Sequence, residues 1–209
     1  TQTIQLAASD DPADSSAWQF QGVLLQPPSG SKDMRDPMVT KINDEYYMVY
    51  ASRNSQGSYI GAATATSLAG PWQDRGSITP PSKDDLESPF LVAYGQAYYL
   101  FYTIAYQGGV YRIGNSPTGP WQEVRPFQPG WAHEIWQDAA SDWKISFLID
   151  YTATISPLTW KAFFPYPQPF IAKAAHHTLL LNLFFAPWPK LSTIAKAAHH
   201  TLLPLIYQR

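Results

Sequence analysis

Arg35, Asp36 and Pro37 stand at the head of the apolar pair Met38 and Val39, and the aromatic stretch "EYYMVY" (45–50) follows closely. Glu87, Ser88 and Pro89 head a second apolar run, "FLV" (90–92), which is followed by "AYYLFYT" (97–103). Asp36 and Glu87 lie 51 residues apart. Two carboxylates brought into one pocket repel, so ionising one raises the pKa of the other. That is how a Glu stays protonated near neutral pH and able to give up a proton. A Pro directly after the acidic position removes a donor and stiffens the start of a strand. The plainer reading of Arg35 and Asp36 is a turn salt bridge, which contributes about 0–1 kcal/mol at a surface. Glu87, which follows "KDDL" (83–86), reads just as plainly as one more solvated acid. What favours the chemical reading is that both acids sit in matching contexts of an internal repeat.

The elements that position them emerge when the chain is compared with itself. "RDPMVTKINDEYYMVYAS" (35–52) aligns with "ESPFLVAYGQAYYLFYT" (87–103), with Pro37 and Pro89, and Tyr47 and Tyr99, each 52 apart. The two units close alike, on "SLAGPW" (67–72) and "SPTGPW" (116–121). A weaker third copy opens at "HEIWQDAASDWKISFL" (133–148) and closes on "YTATISPLTW" (151–160). Each unit reads as an apolar strand, a polar turn, a Tyr-rich strand, another turn and a small-residue strand such as "YIGAATA" (59–65). Three to four antiparallel strands in roughly 50 residues is the period of a β-propeller blade. Helical periodicity is absent from 1–160. The fold predicted is all-β, with about three recognisable propeller blades over residues 1–161.

Composition narrows the function classes. With 14 Lys+Arg against 16 Asp+Glu and no basic run, nucleic acid is excluded as the expected partner. Aromatics reach 15%, including 8 Trp and 13 Tyr. They suit either strand packing or sugar stacking, and Trp131, Trp136 and Trp143 read as core or blade-packing residues. The absence of Cys removes disulfides and thiolate chemistry. Residues 1–15 carry neither a basic nor an apolar signal region, as expected of a mature secreted or periplasmic chain. The longest apolar run, "LLLNLFFAPW" (179–188), is far short of a bilayer span.

The sequence "MRDPMV…YYMVY", then "LESPF…YYLFYT", then "GWAHEI…W" resembles the five-bladed propeller glycoside hydrolases over about 33–160. These comprise the invertase and levanase type and the arabinanase and xylosidase type, glycoside hydrolase families 32 and 43. The resemblance implies hydrolysis of furanoside-type glycans, fructosyl or arabinosyl, without a cofactor. Asp36 then corresponds to the carboxylate that stabilises the oxocarbenium-like transition state or, in the arabinanase branch, tunes the acid. Glu87 corresponds to the general acid that protonates the leaving oxygen. Arg35 would lie beside them, and His133 and Glu134 would contribute to the pocket rim. The alternative is a catalytically incomplete carbohydrate-binding propeller fragment, or an assembly protein.

The resemblance also implies a further carboxylate, as nucleophile or water-activating base, upstream of Arg35. Asp11, in "SDDPADSSAW" (9–18), lacks the apolar strand expected after it, and Asp33, Asp85 and Glu134 are the alternatives. Residues 16–28 read as the last strand of a preceding blade. After Trp160 the texture changes: "IAKAAHHTLL" occurs at 171–180 and again at 194–203. Residues 162–209 therefore read as an atypical tail. Adjacent His side chains on a helix diverge by about 100°, so the pairs at 176–177 and 199–200 are not expected to hold a metal. Open blade edges or the tail would favour a homo-oligomer.

Overall fold

The structure is a computed structural model that describes residues 2–150 and 152–158, together with the backbone of 205–208. It consists of four antiparallel sheets. The first contains β1 (Ile4–Ala8) and β2 (Gln19–Leu25), joined through a single 3-10 turn at Ser15–Ala17. The second is the meander β3 (Asp33–Ile42), β4 (Glu45–Asn54), β5 (Gly57–Ala65) and β6 (Gln73–Ser77). The third repeats it with β7 (Leu86–Tyr94), β8 (Ala97–Ile104), β9 (Gly108–Gly114) and β10 (Arg125–Pro126). The fourth is β11 (Trp131–Gln137), β12 (Trp143–Ile149) and β13 (Thr152–Pro157). A further strand, β14 (Leu205–Gln208), pairs antiparallel with β1.

The all-β expectation therefore holds, with one sheet more than the three units of the repeat. The additional sheet is the one containing β2, which lies within the segment 16–28 taken as the last strand of a preceding blade. The boundary at 161–162 and both "IAKAAHHTLL" segments, with their paired histidines, lie outside the described residues.

Tight two-residue loops set the hairpins. Ile42 pairs with Glu45 and Tyr94 with Ala97, and Asn43 and Gly95, the first loop residues, take positive φ. These residue types tolerate that conformation, so the register that follows is fixed locally.

Strand alternation then places two apolar rows on the second sheet. Met38, Ile42, Val49 and Ala51 face one way and join Leu91, Leu100 and Phe101 of the third sheet in one core. Met34, Val39, Met48 and Tyr50 face the other way, onto Ile4, Leu6 and Leu25 of the first sheet. Both faces of the second sheet are thus buried, as the stacking of propeller blades requires. Gly61 serves this packing, since a Cβ there would lie 2.3–2.5 Å from the Tyr50 ring. Tyr50 is fully buried and its hydroxyl donates to Asp74 Oδ1 at 2.6 Å.

Candidate active site

The strands β3, β7 and β11 begin their sheets and pack side by side, β7 in contact with both others. Each carries the same irregularity near its start. One extra residue is inserted between Arg35 and Met38, between Glu87 and Phe90, and between Trp131 and Glu134. A β-bulge of this kind bends the strand and re-aims the side chain before it. The bulge residue takes positive φ in all three: Asp36 at 52°, Ser88 at 48° and Ala132 at 52°. None is glycine, so each stores backbone strain, on the order of 1–3 kcal/mol.

This geometry refines the repeat. The structural counterpart of Asp36 is Ser88, and the counterpart of Glu87 is Arg35. Residues 33–37 and 85–89 thus superpose as Asp, Met, Arg, Asp, Pro on Asp, Leu, Glu, Ser, Pro. A spacing of 51 places Asp36 and Glu87 one residue out of phase in the repeat, yet both reach Arg35.

Arg35 is the centre of the assembly. Its guanidinium lies 2.8 Å from Asp33 Oδ2, 3.9 Å from Asp36 Oδ2, 3.7 Å from Asp85 Oδ1 and 3.5 Å from Glu87 Oε1. It also donates to the Leu86 carbonyl at 3.4 Å. Asp85 meets a second cation, Arg53 of β4. Asp36 Oδ2 accepts the Ser88 amide at 3.0 Å, which ties the two bulges across the interface. Four carboxyl groups thus share two guanidinium groups. Asp36 and Glu87 meet the same cation.

Burial is the main cause that raises the Asp36 carboxyl above the ordinary range, while the Ser88 amide and Arg35 pull against it and the Asp33 charge adds to it. Glu87 is raised as well, first by burial and then by Asp36 and Asp85, with Arg35 opposing. Its side chain remains 37% exposed, so a substrate can reach it. Asp36 is the more enclosed of the two, with a side chain 15% exposed. The arrangement therefore offers a reachable acid that holds its proton above the usual range, next to a half-buried neighbour whose charge helps keep it there. Further along the same strands, Met38, Thr40, Phe90, Val92 and Trp136 narrow the space to a cavity of about 20 Å³. That is room for a water.

The other expected site residues fall differently. His133 is buried, stacked on Phe147 with ring centroids 5.6 Å apart and edge-on to Phe127 at 5.5 Å. Its Nε2 lies 3.2 Å from the Pro129 carbonyl, and a Cβ on Gly109 would sit 2.5 Å from its ring. The structure gives His133 a packing role rather than the pocket-rim role expected for it. The reason is the bulge, which puts it at the position of Pro37 and Pro89.

Glu134 follows on β11 opposite Ser146, and burial pushes its carboxyl up to about 7. Among the described residues it makes no ion pair with Arg35. Asp11 caps an exposed turn, accepting the Ala13 amide at 3.0 Å. Asp33 and Asp85, considered only as stand-ins for a missing acid, are integral to the cluster, and Arg53 was not anticipated. The signal for all three is cross-strand register: Asp33 pairs with Arg53, and Asp85 repeats Asp33 after 52 residues. Trp143 packs edge-on against Tyr94 at 5.7 Å, as expected of a blade-packing residue. Trp131, expected in the core, is instead 42% exposed.

Among the described residues, no group of three or more acidic, His or Cys side chains is arranged to hold a metal ion, and none of their helices is long and apolar enough to cross a membrane.

Comparison with known proteins places this architecture. No protein-family profile matches the chain. In sequence it is 32% identical over 85 residues to "Probable arabinan endo-1,5-alpha-L-arabinosidase A" of Aspergillus clavatus. That match covers 37% of this chain and 25% of the relative, so the chain spans about a quarter of the length of the curated relative it matches.

In structure it is similar to a family 117 glycoside hydrolase produced by the marine bacterium Zobellia galactanivorans. The TM-score is 0.61 at 21% identity, over 75% of this chain and 52% of that one. It is also similar to an alpha-L-arabinofuranosidase from Lactobacillus brevis. There the TM-score is 0.60 at 16% identity, over 82% of this chain and 68% of that one. The fold is that of the propeller glycoside hydrolases, and the chain resembles them in sequence as well.

Proposed function

We propose that the chain is a glycoside hydrolase acting on arabinosyl-type furanosides, with Glu87 as general acid. The observation that carries this reading is the junction of β3 and β7, where Glu87, Asp36, Asp33 and Asp85 gather on Arg35 at a solvent-open mouth. The sequence match to an arabinanase supports arabinosyl ahead of fructosyl substrates.

In this mechanism the glycosidic oxygen takes the Glu87 proton as its bond to the anomeric carbon breaks, and positive charge develops on the sugar ring. Asp36, drawn back behind the Ser88 amide, acts on Glu87 by raising its pKa, the role the arabinanase branch gives it. Arg35 orients Glu87 and Asp36 rather than clamping substrate, since its donors are already engaged. Hydrolysis also needs a carboxylate to activate water or to attack the sugar. Asp33 and Asp85 are the remaining acids on Arg35, and the D33N or D85N variant that loses hydrolysis while keeping sugar binding identifies it.

The test is reducing-sugar release from linear arabinan, with sucrose, inulin, levan and xylan as comparison substrates. Release by the parent, absent in Glu87→Gln, supports the reading. Sugar binding without release on any substrate would replace it with a carbohydrate-binding role.

A further inference from the structure

Trp131 heads β11 at the position that Arg35 holds in β3 and Glu87 holds in β7, directly before the bulge residue at positive φ. We propose that Trp131 is a stacking platform for the apolar face of a neutral sugar ring, forming a binding subsite one blade on from Glu87. The proposal rests on the carbohydrate reading of the site and adds to it the residue that selects ring shape.

Three observations place Trp131 exposed beside the strands that carry the cluster. The Ala132 amide donates to Thr103 Oγ1 at 3.3 Å, and Thr103 is the cross-strand partner of Glu87. The backbone at Trp131 therefore lies one strand away from Glu87's own hairpin. Gly130 has φ 101°, and a Cβ there would lie 2.7 Å from the Leu148 carbonyl oxygen, so the approach to Trp131 is built for glycine. Finally, the indole is 42% exposed, whereas Trp72 is 9% exposed and Trp121 and Trp143 pack against the core.

A single exposed aromatic is unremarkable by itself. Its meaning comes from its place beside an acidic cluster. Carboxylates accept hydrogen bonds from sugar hydroxyls, and an indole covers the C–H face that those hydroxyls leave bare.

The experiment is calorimetric titration of the Glu87→Gln chain, in which turnover is expected to be strongly reduced, with linear arabino-, xylo- and fructo-oligosaccharides. Trp131→Ala, Trp131→Phe and the control Phe20→Ala are added singly. Phe20 is 65% exposed on β2 of the first sheet, whereas the site is built on β3, β7 and β11. Trp131→Ala is expected to weaken oligosaccharide binding about tenfold or more, as truncating a central aromatic anchor does. Trp131→Phe is expected to keep most of the affinity, and Phe20→Ala all of it. Thermal unfolding of each variant separates lost affinity from lost fold, and Trp131→Gln, which fills part of the same space without a ring and is expected to lose affinity as Trp131→Ala does, carries the test if Trp131→Ala does not fold. Affinity unchanged in Trp131→Ala, or no oligosaccharide bound by any variant, overturns the platform. If Trp131-dependent binding persists while the parent hydrolyses nothing, the platform stands and the hydrolase reading falls.

Discussion

The segments 33–37 and 85–89 are the same piece of backbone used twice. Both begin with Asp, bury an apolar residue next (Met34, Leu86), and place a Pro after a bulge residue at positive φ. They differ where it matters chemically: Arg35 in one stands where Glu87 stands in the other, and Asp36 stands where Ser88 does. Identical charges at both positions would repel across the blade interface. Opposite charges draw the two strand ends together, and the Ser88 amide supplies the donor that the buried Asp36 needs. The site is therefore a property of the interface between two blades, and neither blade contains it alone.

The comparison can be broken most severely at Arg35. Arg35→Gln leaves four acids facing one another with only Arg53 nearby, and the partly buried setting makes this costly. A loss of about 1–3 kcal/mol in unfolding free energy is expected at pH 7, recovered in part at pH 4 as carboxyls protonate. Denaturant unfolding at the two pH values checks it. An Arg35→Gln protein as stable as the parent at pH 7 would show that the cluster is ornamental.

Gly61→Ala tests the rigid part of the same sheet, where the added methyl meets the Tyr50 ring. A cost of roughly 1–3 kcal/mol is expected from overpacking, independent of pH, which distinguishes it from the Arg35 variant.

Glu134 gives an effect of opposite sign on β11. Its carboxyl is raised from 4.5 to about 7 by burial, so it contributes stability that is fully present below 4.5 and lost as pH rises through about 7. Glu134→Gln should therefore be more stable than the parent at pH 8, by about 1–2 kcal/mol, and equal to it near pH 4. Melting curves across that range decide the matter, and a variant less stable at pH 8 would mean that the carboxylate is paired.

The smallest expected effect is the most specific. Asp85→Asn removes one of the charges that raise Glu87 and frees Arg35 to turn toward it, so the Glu87 carboxyl should titrate lower than in the parent. Carbon-detected NMR of labelled Glu87 reads this directly, whether or not the variant hydrolyses anything.

Much of this was legible in the sequence because repetition amplifies weak signals. A spacing of 52, repeated at Pro37 and Pro89 and at Tyr47 and Tyr99, fixes the blade, and polar two-residue loops between apolar runs fix its hairpins. The bulge was not legible. It depends on backbone geometry at Asp36, Ser88 and Ala132, three residue types with little in common, and it shifts side-chain phase by one. That shift puts His133 among Phe127 and Phe147 and turns Trp131 outward, whereas the spacing of 52 by itself sets Glu87 on Arg35. The first sheet was half visible for a different reason. Five residues, "IQLAA" (4–8), joined to β2 through a long polar loop, carry no hairpin signature of their own.

The central claim is that Glu87 is the working acid of a site built across two blades. The direct measurement is the pH dependence of kcat/KM on linear arabinan, set beside the NMR titration of Glu87 in the same protein. The activity should fall with rising pH in step with ionisation of Glu87, and Glu87→Gln should lose about 10²–10⁴-fold in kcat, as removal of a general acid does. An alkaline limb that titrates apart from Glu87, or a Glu87→Gln variant that hydrolyses at the parent rate, would contradict it.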